Sequence, residues 1–329
     1  MSKLSVVIVN WNGEKYLYKC IESLLNQTLN DMEIVFVDNS STDNSLKLVQ
    51  EHFNKKLKIV SNINNGYAGG ANVGINYSNS DYVAIINPDV VFDPEYMERC
   101  CDFLEKNYKV AAVTGKLLKY DFDTNEKLNV IDSVGISVRH DRYAYDIGQN
   151  EVDIGKYDKT NRVFAICGAA AVFKKESLEK IKYENEYFDE DFFAYKEDID
   201  LCWRLNWTGF KCFYIHDALA YHGRAMNSAI GFFEKIKNRK IQSAYLKGIS
   251  FRNHYLMILK NDTKKTMRKD FLFLSIRLIK FLVFSLVFER SNYRYIKEFF
   301  ILKNRILSKK HFVMKNRAVD DLLIYNLFE

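Results

Sequence analysis

Proline is almost missing from this chain, with 2 residues in 329, and glycine is modest at 14. That excludes collagen-like and proline-rich low-complexity material. Thiol motifs are missing too: the six cysteines (Cys20, Cys100, Cys101, Cys167, Cys202 and Cys212) form no CxxC pair. Buried thiols in a reducing compartment are the expectation, ahead of metal ligands or disulfides. No run of about 18 uninterrupted apolar residues occurs, so no clear transmembrane helix is expected. The N-terminus enters the apolar run Leu4–Val9 without a signal-peptide pattern, and a cytoplasmic location is the expectation.

What is present is 48% apolar and 27% charged residues, enough for a sizeable core. Charge is unevenly placed. Residues 1–231 hold 26 Lys+Arg and 34 Asp+Glu, a net of −8, whereas residues 232–329 hold 22 and 8, a net of +14. A basic, aromatic C-terminal third points to an anionic surface as its partner. No nucleic-acid-binding motif accompanies the charge, so membrane is preferred to nucleic acid.

The first 115 or so residues alternate strand and helix patterns. Strands are expected at Ser5–Val9, Glu33–Val37, Leu57–Val60, Tyr82–Ile86 and Val110–Thr114. Helices are expected at Lys15–Asn26, at Asp43–Phe53 with Ser41 or Thr42 as N-cap, at Ala68–Tyr77, and from Asp93-Pro94 to about Asn107. This rhythm calls for an α/β fold with a mostly parallel sheet covered by helices. Residues 116–162 lose the rhythm and read as loops and short strands facing an acceptor. Val163–Phe173 reads as a strand around Gly168, and Phe213–Leu219 as one ending near His222. Residues 232–310 are helical in composition. Within them Phe271–Phe288 is interrupted by Arg277 and Lys280, three apart on one face, as in an interfacial helix. Packing on the body or on a second copy is the alternative. The chain thus divides into residues 1–231, with a donor half 1–115 and an acceptor half 116–231, and a basic helical region 232–329.

In such sheets ligands bind beyond the carboxyl ends of the strands. Polar groups stand at three of those ends: Asn10-Trp11-Asn12, Asp38-Asn39 and Asn87-Pro88-Asp89. A carboxylate at Asp89 can take a hard divalent cation that also holds a diphosphate; singly, Asn-Pro-Asp is only a turn. In Glu197-Asp198-Ile199-Asp200-Leu201 a helix places Glu197 with Asp200 and Leu201, and leaves Asp198 elsewhere, free to act as a base. Acids at a helix N-terminus are otherwise explained by the macrodipole. Phe192, Phe193, Leu201 and Trp203 could supply a desolvating wall. His222 alone would read as structural, and Asn65–Gly74 as a close backbone approach out of register with a dinucleotide-binding loop.

Taken in order, Ser5–Asn12, Val37–Asp43, Asn65–Gly74, Ile86–Asp89 and Glu197–Arg204 resemble family 2 glycosyltransferases, nearest to the bacterial rhamnosyltransferases of cell-surface polysaccharides. The resemblance covers about residues 3–225. It implies a GT-A fold, a nucleotide-sugar donor, a divalent metal (Mg or Mn) and inversion at the anomeric carbon. It puts Val9, Asn10, Trp11, Asp38, Asn65, Gly66 and Asn87 at the donor nucleotide, and Asp89 and His222 at the metal. Asp198 matches the catalytic base, and Glu197, Asp200 and Trp203 become acceptor or supporting residues. Two departures stand out. Asn87 replaces the first acid of the Asp-x-Asp motif, and Glu186-Tyr187 replaces a glycine before Phe188-Asp189-Glu190. The implied donor is dTDP-β-L-rhamnose, with UDP-galactofuranose, UDP-glucose or a UDP-N-acetylhexosamine as alternatives. The implied acceptor is a lipid-linked glycan, and the implied place is the inner membrane face. A non-catalytic subunit of a polysaccharide-assembly complex is the rival of another class.

Overall fold

The computed structural model describes residues 2–223 and 243–329. Arg224 and the expected boundary at 231/232 lie outside the described residues. The chain opens with β1 (Leu4–Asn10), α1 (Glu14–Leu25), β2 (Met32–Asp38), α2 (Ser45–Phe53), β3 (Lys58–Ser61), α3 (Gly66–Tyr77) and β4 (Tyr82–Ile86). Next come β5 (Val90–Phe92), α4 (Tyr96–Lys106), β6 (Val110–Asp121), β7 (Glu126–Ser133), β8 (Ile136–Val138), β9 (Ala144–Asp146), β10 (Asn161–Val163) and β11 (Ala170–Lys174). Then follow α5 (Lys175–Ile181), α6 (Glu197–Trp207) and β12 (Lys211–His222). The C-terminal part holds α7 (Ala244–Asn261), α8 (Lys264–Lys269), α9 (Phe271–Phe288), α10 (Tyr293–Lys315) and α11 (Asp321–Tyr325).

Ten strands form one sheet in the order β10-β12-β6-β11-β4-β1-β2-β3, with β5 on β12 and β7 on β6. The β4-β1-β2-β3 half is parallel, and β11 runs antiparallel between β4 and β6. Alternation along β1 explains why Val6–Val9 is a continuous apolar run. Val7 and Val9 enter one core layer, and Leu4, Val6 and Ile8 the other. The expected α/β class, a central sheet flanked by helices, is what the chain forms.

Some expected boundaries move. The helix after Asp93-Pro94 starts at Tyr96, because Val90–Phe92 pairs with β12 first. The helix α2 starts at Ser45, after Asn44. Ser41 and Thr42 instead hold the loop after β1: Ser41 Oγ accepts from Asn12 N at 3.0 Å, and Thr42 N donates to Asn12 Oδ1 at 2.7 Å. The Val163–Phe173 run is not one strand. It breaks between β10 and β11, leaving Cys167–Ala169 as a turn over the cleft described below.

The basic C-terminal helices pack on the body through buried ions. Lys260 on α7 reaches Asp189 at 2.7 Å and Asp200 at 2.9 Å. Lys309 on α10 reaches Glu186 at 2.7 Å, Asp191 at 3.0 Å and also Asp189. Both lysines are almost fully buried. Glu186, which stands where the family's glycine was expected, is therefore an anchor point for α10. In contrast, α9 shows only Ser285 buried, with Phe271, Leu272, Ile279, Val283 and Val287 all more than half exposed. By length and composition alone α9 is apolar enough to cross a membrane, with mean hydropathy 2.2. Counting uninterrupted runs hid this, since Arg277 and Lys280 fall inside an otherwise apolar helix.

Candidate active site

A cleft of about 520 Å³ opens beside the carboxyl end of β4. Asn87, Asp89, Glu197, Asp198 and His222 all line it, with Tyr67, Gly168, Tyr145, Asp146 and Lys196. Five of the residues singled out in the sequence thus meet in one cavity, although they come from widely separated parts of the chain.

Asp89 and His222 meet through strand pairing. Val90 lies opposite His222 where β5 joins β12, and Gly223 N donates to Asp89 O at 2.8 Å. The result is His222 Nε2 at 3.3 Å from Asp89 Oδ1. On its other side His222 Nδ1 lies 2.8 Å from Asp132 Oδ2. Asp132 was not picked out from the sequence, because it sits at the end of β7 in a stretch without helical or strand periodicity. Burial alone would lower the His222 pKa, but the two flanking carboxylates outweigh it and hold it up at about 10. Burial would likewise raise Asp89, and the imidazole beside it brings it below its ordinary value instead.

The helix α6 carries Glu197 and Asp198 on its first turn. It is entered through a loop in which Phe193, Tyr195 and Lys196 all have positive φ, between 63° and 75°. Three non-glycine residues in that region store strain of the kind that accumulates at functional sites. Asp198 Oδ2 accepts from Gly168 N at 3.3 Å, and Oδ1 from Ile199 N at 2.8 Å. A Cβ on Gly168 would stand 3.1 Å from Asp198 Cβ, so the turn lets the carboxylate sit close to the backbone. Tyr67 helps hold the turn, donating its hydroxyl proton to Gly168 O at 2.9 Å. Burial raises the Asp198 pKa, with Lys196 opposing the rise. Burial and then the charge of Asp198 raise Glu197. Glu197 Oε2 is buried and has no hydrogen-bond partner among the described residues.

Asp200 and Trp203 do not line this cleft. Asp200 is fully buried and is held by Arg204 and Lys260, each at 2.9 Å, and by Asn261 Nδ2 at 2.7 Å. Trp203 is fully buried, edge-on to Phe164 and Phe328. This corrects the expected sorting, in which Glu197 shared a face with Asp200 and Asp198 stood apart: Glu197 and Asp198 both line the cleft, while Lys260 and Asn261 of α7 draw Asp200 away from it.

The expected nucleotide-binding residues gather at the same sheet edge, outside the lining of the main cleft apart from Asn87. Asn10 Nδ2 donates to Ser41 Oγ at 3.0 Å and lies 3.4 Å from Asp38 Oδ1. Asp38 is almost fully buried, Trp11 is 59% exposed, and Val9 packs into the core. Gly66 has φ +84°, and a Cβ there would lie 2.2 Å from Phe193 O. Asn39 ties the group together, donating to Gly66 O at 2.9 Å and accepting from Asn62 at 2.7 Å. Asn65 Oδ1 also accepts from Asn62, at 2.9 Å.

Asp89 and His222 offer one carboxylate oxygen and one imidazole nitrogen that converge on the cleft. The other imidazole nitrogen faces Asp132, so Nε2 is the one turned to Asp89. That donor set would suit Mn²⁺ or Mg²⁺ if phosphate and water oxygens supplied the other ligands. Among the described residues no group of three or more His, Cys, Asp or Glu is arranged to hold an ion without such help.

The profile of glycosyl transferase family 2 matches residues 5–182, more than half of the chain. The chain belongs to glycosyl transferase family 2. Within the family it is 31% identical over 112 residues to the chondroitin synthase of Escherichia coli, covering 33% of this chain and 16% of the relative. It is 35% identical over 129 residues to an uncharacterized glycosyltransferase of Nostoc sp., covering 38% of this chain and 39% of the relative. The chain therefore spans well under half the length of these relatives. Among solved structures, Staphylococcus aureus TarS 1-349 superposes with TM-score 0.55 at 16% identity, over 98% of this chain and 89% of that one. A mannosyltransferase of Pyrobaculum calidifontis in complex with GDP-Man and Mn²⁺ superposes with TM-score 0.53 at 14% identity, over 96% and 87%. At these identities the two structures show the fold.

Proposed function

We propose that this family 2 glycosyltransferase moves a sugar from a nucleotide-sugar donor to a hydroxyl of a polysaccharide acceptor, inverting the anomeric carbon. The observation that carries the reading is Asp198, a cleft carboxylate with a raised pKa, in the same cavity as Asp89 and His222. A carboxylate there takes the proton from the acceptor hydroxyl as that oxygen attacks C1 of the donor sugar. The nucleoside diphosphate leaves from the opposite face. A raised pKa makes the carboxylate a better proton acceptor near neutral pH. One displacement at C1 needs no covalent enzyme intermediate.

Asp89 and His222 would hold the divalent cation, and Asn87 would stand beside the donor's diphosphate. When bound, the cation supplies positive charge to the departing diphosphate. Asp38, with Asn10 and Trp11, would receive the base. Gly66 and Asn65 would border the same pocket. Glu197 would serve the acceptor, and Asp200 and Trp203 would support the helix from below. Fold neighbours solved with UDP and with GDP-Man and Mn²⁺ support a nucleotide-sugar donor with a divalent metal. The choice of dTDP-β-L-rhamnose rests on the Asn-Pro-Asp form of the motif. UDP-galactofuranose, UDP-glucose and UDP-N-acetylhexosamines are the competing donors.

The acceptor would be lipid-linked, on the inner face of the membrane. What supports this is α9, whose apolar side chains are exposed, preceded by Lys264, Lys265, Arg268 and Lys269, all exposed. A second copy of the chain could also cover α9. It would bring together two segments that each carry a net +14, which anionic lipid would instead neutralise.

A thermal-shift screen of nucleotide sugars with Mn²⁺ tests the donor reading. A bound donor raises the melting temperature by mass action. The Asp89→Ala variant should lose the Mn²⁺-dependent part of that rise, and His222→Ala should lose less of it. No rise with any donor would favour the non-catalytic subunit.

A further inference from the structure

Asp132 has no place in the chemistry described above, yet it is fully buried and aimed at the ring of His222. Its position follows from the sheet. The strand β6 lies between β7 and β12, and Leu118 faces both Ile131 and Tyr221. Because β7 runs antiparallel to β6 and β12 parallel to it, Asp132 steps from Ile131 towards Leu117 while His222 stands opposite Lys119, and the two side chains reach each other diagonally across β6. They meet at 2.8 Å, with Nδ1 of the ring against Oδ2 of Asp132.

We infer that Asp132 is a positioning residue: it fixes the ring of His222 so that Nε2 points to the cation shared with Asp89. The inference rests on the proposed metal role of Asp89 and His222. A carboxylate accepting from Nδ1–H does two things. It keeps the proton on Nδ1, so that a cation would take the place of the Nε2 proton and meet a lone pair there, and it locks rotation of the ring. Both nitrogens of His222 are thereby assigned, one to Asp132 and one to the cleft, where Nε2 stands 3.3 Å from Asp89.

The test is Mn²⁺ binding by the full-length chain with UDP or dTDP present, followed by the loss of the free-ion electron paramagnetic resonance signal. Nitrogen modulation of the bound ion reports the imidazole ligand. Asp132→Ala should weaken Mn²⁺ binding by about 10–100-fold, the usual effect of losing such a partner, and should lose the nitrogen modulation. Asp132→Asn keeps an oxygen that can accept from Nδ1–H, so it should recover most of the affinity. Nucleotide binding in EDTA should be the same in all three proteins. Wild-type Mn²⁺ affinity and modulation in a folded Asp132→Ala would overturn the inference. Equal losses in Ala and Asn, with metal-free nucleotide binding falling alongside, would overturn it in favour of a purely structural role. If the Ala variant does not fold, Asp132→Asn decides by its modulation, which should persist with a modest loss of affinity; modulation lost in the Asn variant would overturn the inference. Wild-type protein that binds no Mn²⁺ would instead contradict the metal reading of Asp89 and His222, and a wild-type signal without nitrogen modulation would remove His222 alone.

Discussion

Two acidic clusters lie next to each other between residues 186 and 200, and their surroundings differ. In the first, Glu186, Asp189 and Asp191 are met by Lys309, and Asp189 and Asp200 by Lys260. In the second, Glu197 and Asp198 line the cleft, and the nearby Lys196 is itself held below its usual pKa by burial. The consequences are opposite. Burial alone would raise Asp189, but Lys260 and Lys309 hold it well below the ordinary carboxylate range. Asp198 is raised. The same residue type, nine positions apart, becomes an ion-pair anchor or a candidate base according to the counter-charge that tertiary packing brings.

The largest way to break this contrast is to remove a counter-charge. Lys309→Met leaves Glu186, Asp189 and Asp191 without the ammonium group buried among them. Losing one partner of a buried ion pair costs about 3–5 kcal/mol. Urea unfolding should show a loss of that order, and the folded fraction should keep its donor binding. Protonation has a related effect. The Asp189 pKa is depressed, so its contribution is present above the unfolded-state value of about 3.9 and is lost as pH falls further. The Lys309 pKa is raised by its carboxylates against the pull of burial. Its contribution is present below about 10.4 and fades above that. The network should therefore be fully stabilising between these limits, with acid unfolding of wild type shallower at pH 5 than at pH 3.

A smaller effect is expected from the exposed side of the C-terminal region. Full-length protein should float with phosphatidylglycerol vesicles at low salt and less at high salt, as the Debye length shortens. Replacing Lys264, Lys265, Arg268 and Lys269 by Glu should abolish flotation, since each basic residue near an anionic surface contributes about 1 kcal/mol. Equal flotation with neutral vesicles would remove the electrostatic part. Deleting the region is not a clean control, because it would also strip Lys260 and Lys309 from the buried acids.

The smallest shift concerns the base. Asp198 must be ionised to accept a proton, so the rate should fall as pH drops through its raised pKa, above the ordinary value of about 3.9. Lys196 lowers that pKa and Asp146 raises it. Lys196→Met should move the acid limb of kcat/KM upward, and Asp146→Asn should move it downward, each by less than about one unit. Shifts in the reverse sense would show that another group controls the limb.

The α/β half was legible because its signals are local. The short continuous apolar runs of β1, β2 and β4, and the polar groups at their carboxyl ends, follow from a few neighbouring residues. The same held for bringing Asp89, Asp198 and His222 together, where separate motifs carried a shared resemblance. Asp132 was not legible, because its role depends on β7 and β12 flanking β6, a pairing that no local pattern in residues 116–162 encodes. Asp200 was expected as an acceptor or supporting residue, and local sequence could not separate the two: Lys260, some sixty positions later, holds it away from the cleft and leaves the supporting reading. For Phe271–Phe288 composition offered an interfacial helix with packing on the body as the alternative, and only the fold shows that the body leaves α9 uncovered.

The central claim is that Asp198 performs chemistry and does not hold the donor. It is tested most directly by measuring donor binding and nucleotide release together in Asp198→Asn, with Mn²⁺ and the donor that wild type uses. Losing a general base typically costs about 10²–10⁴ in rate. The account predicts release slowed by that factor, with donor affinity and melting temperature close to wild type. Release above a tenth of the wild-type rate would contradict it, as would a loss of donor affinity that accounts for the whole defect.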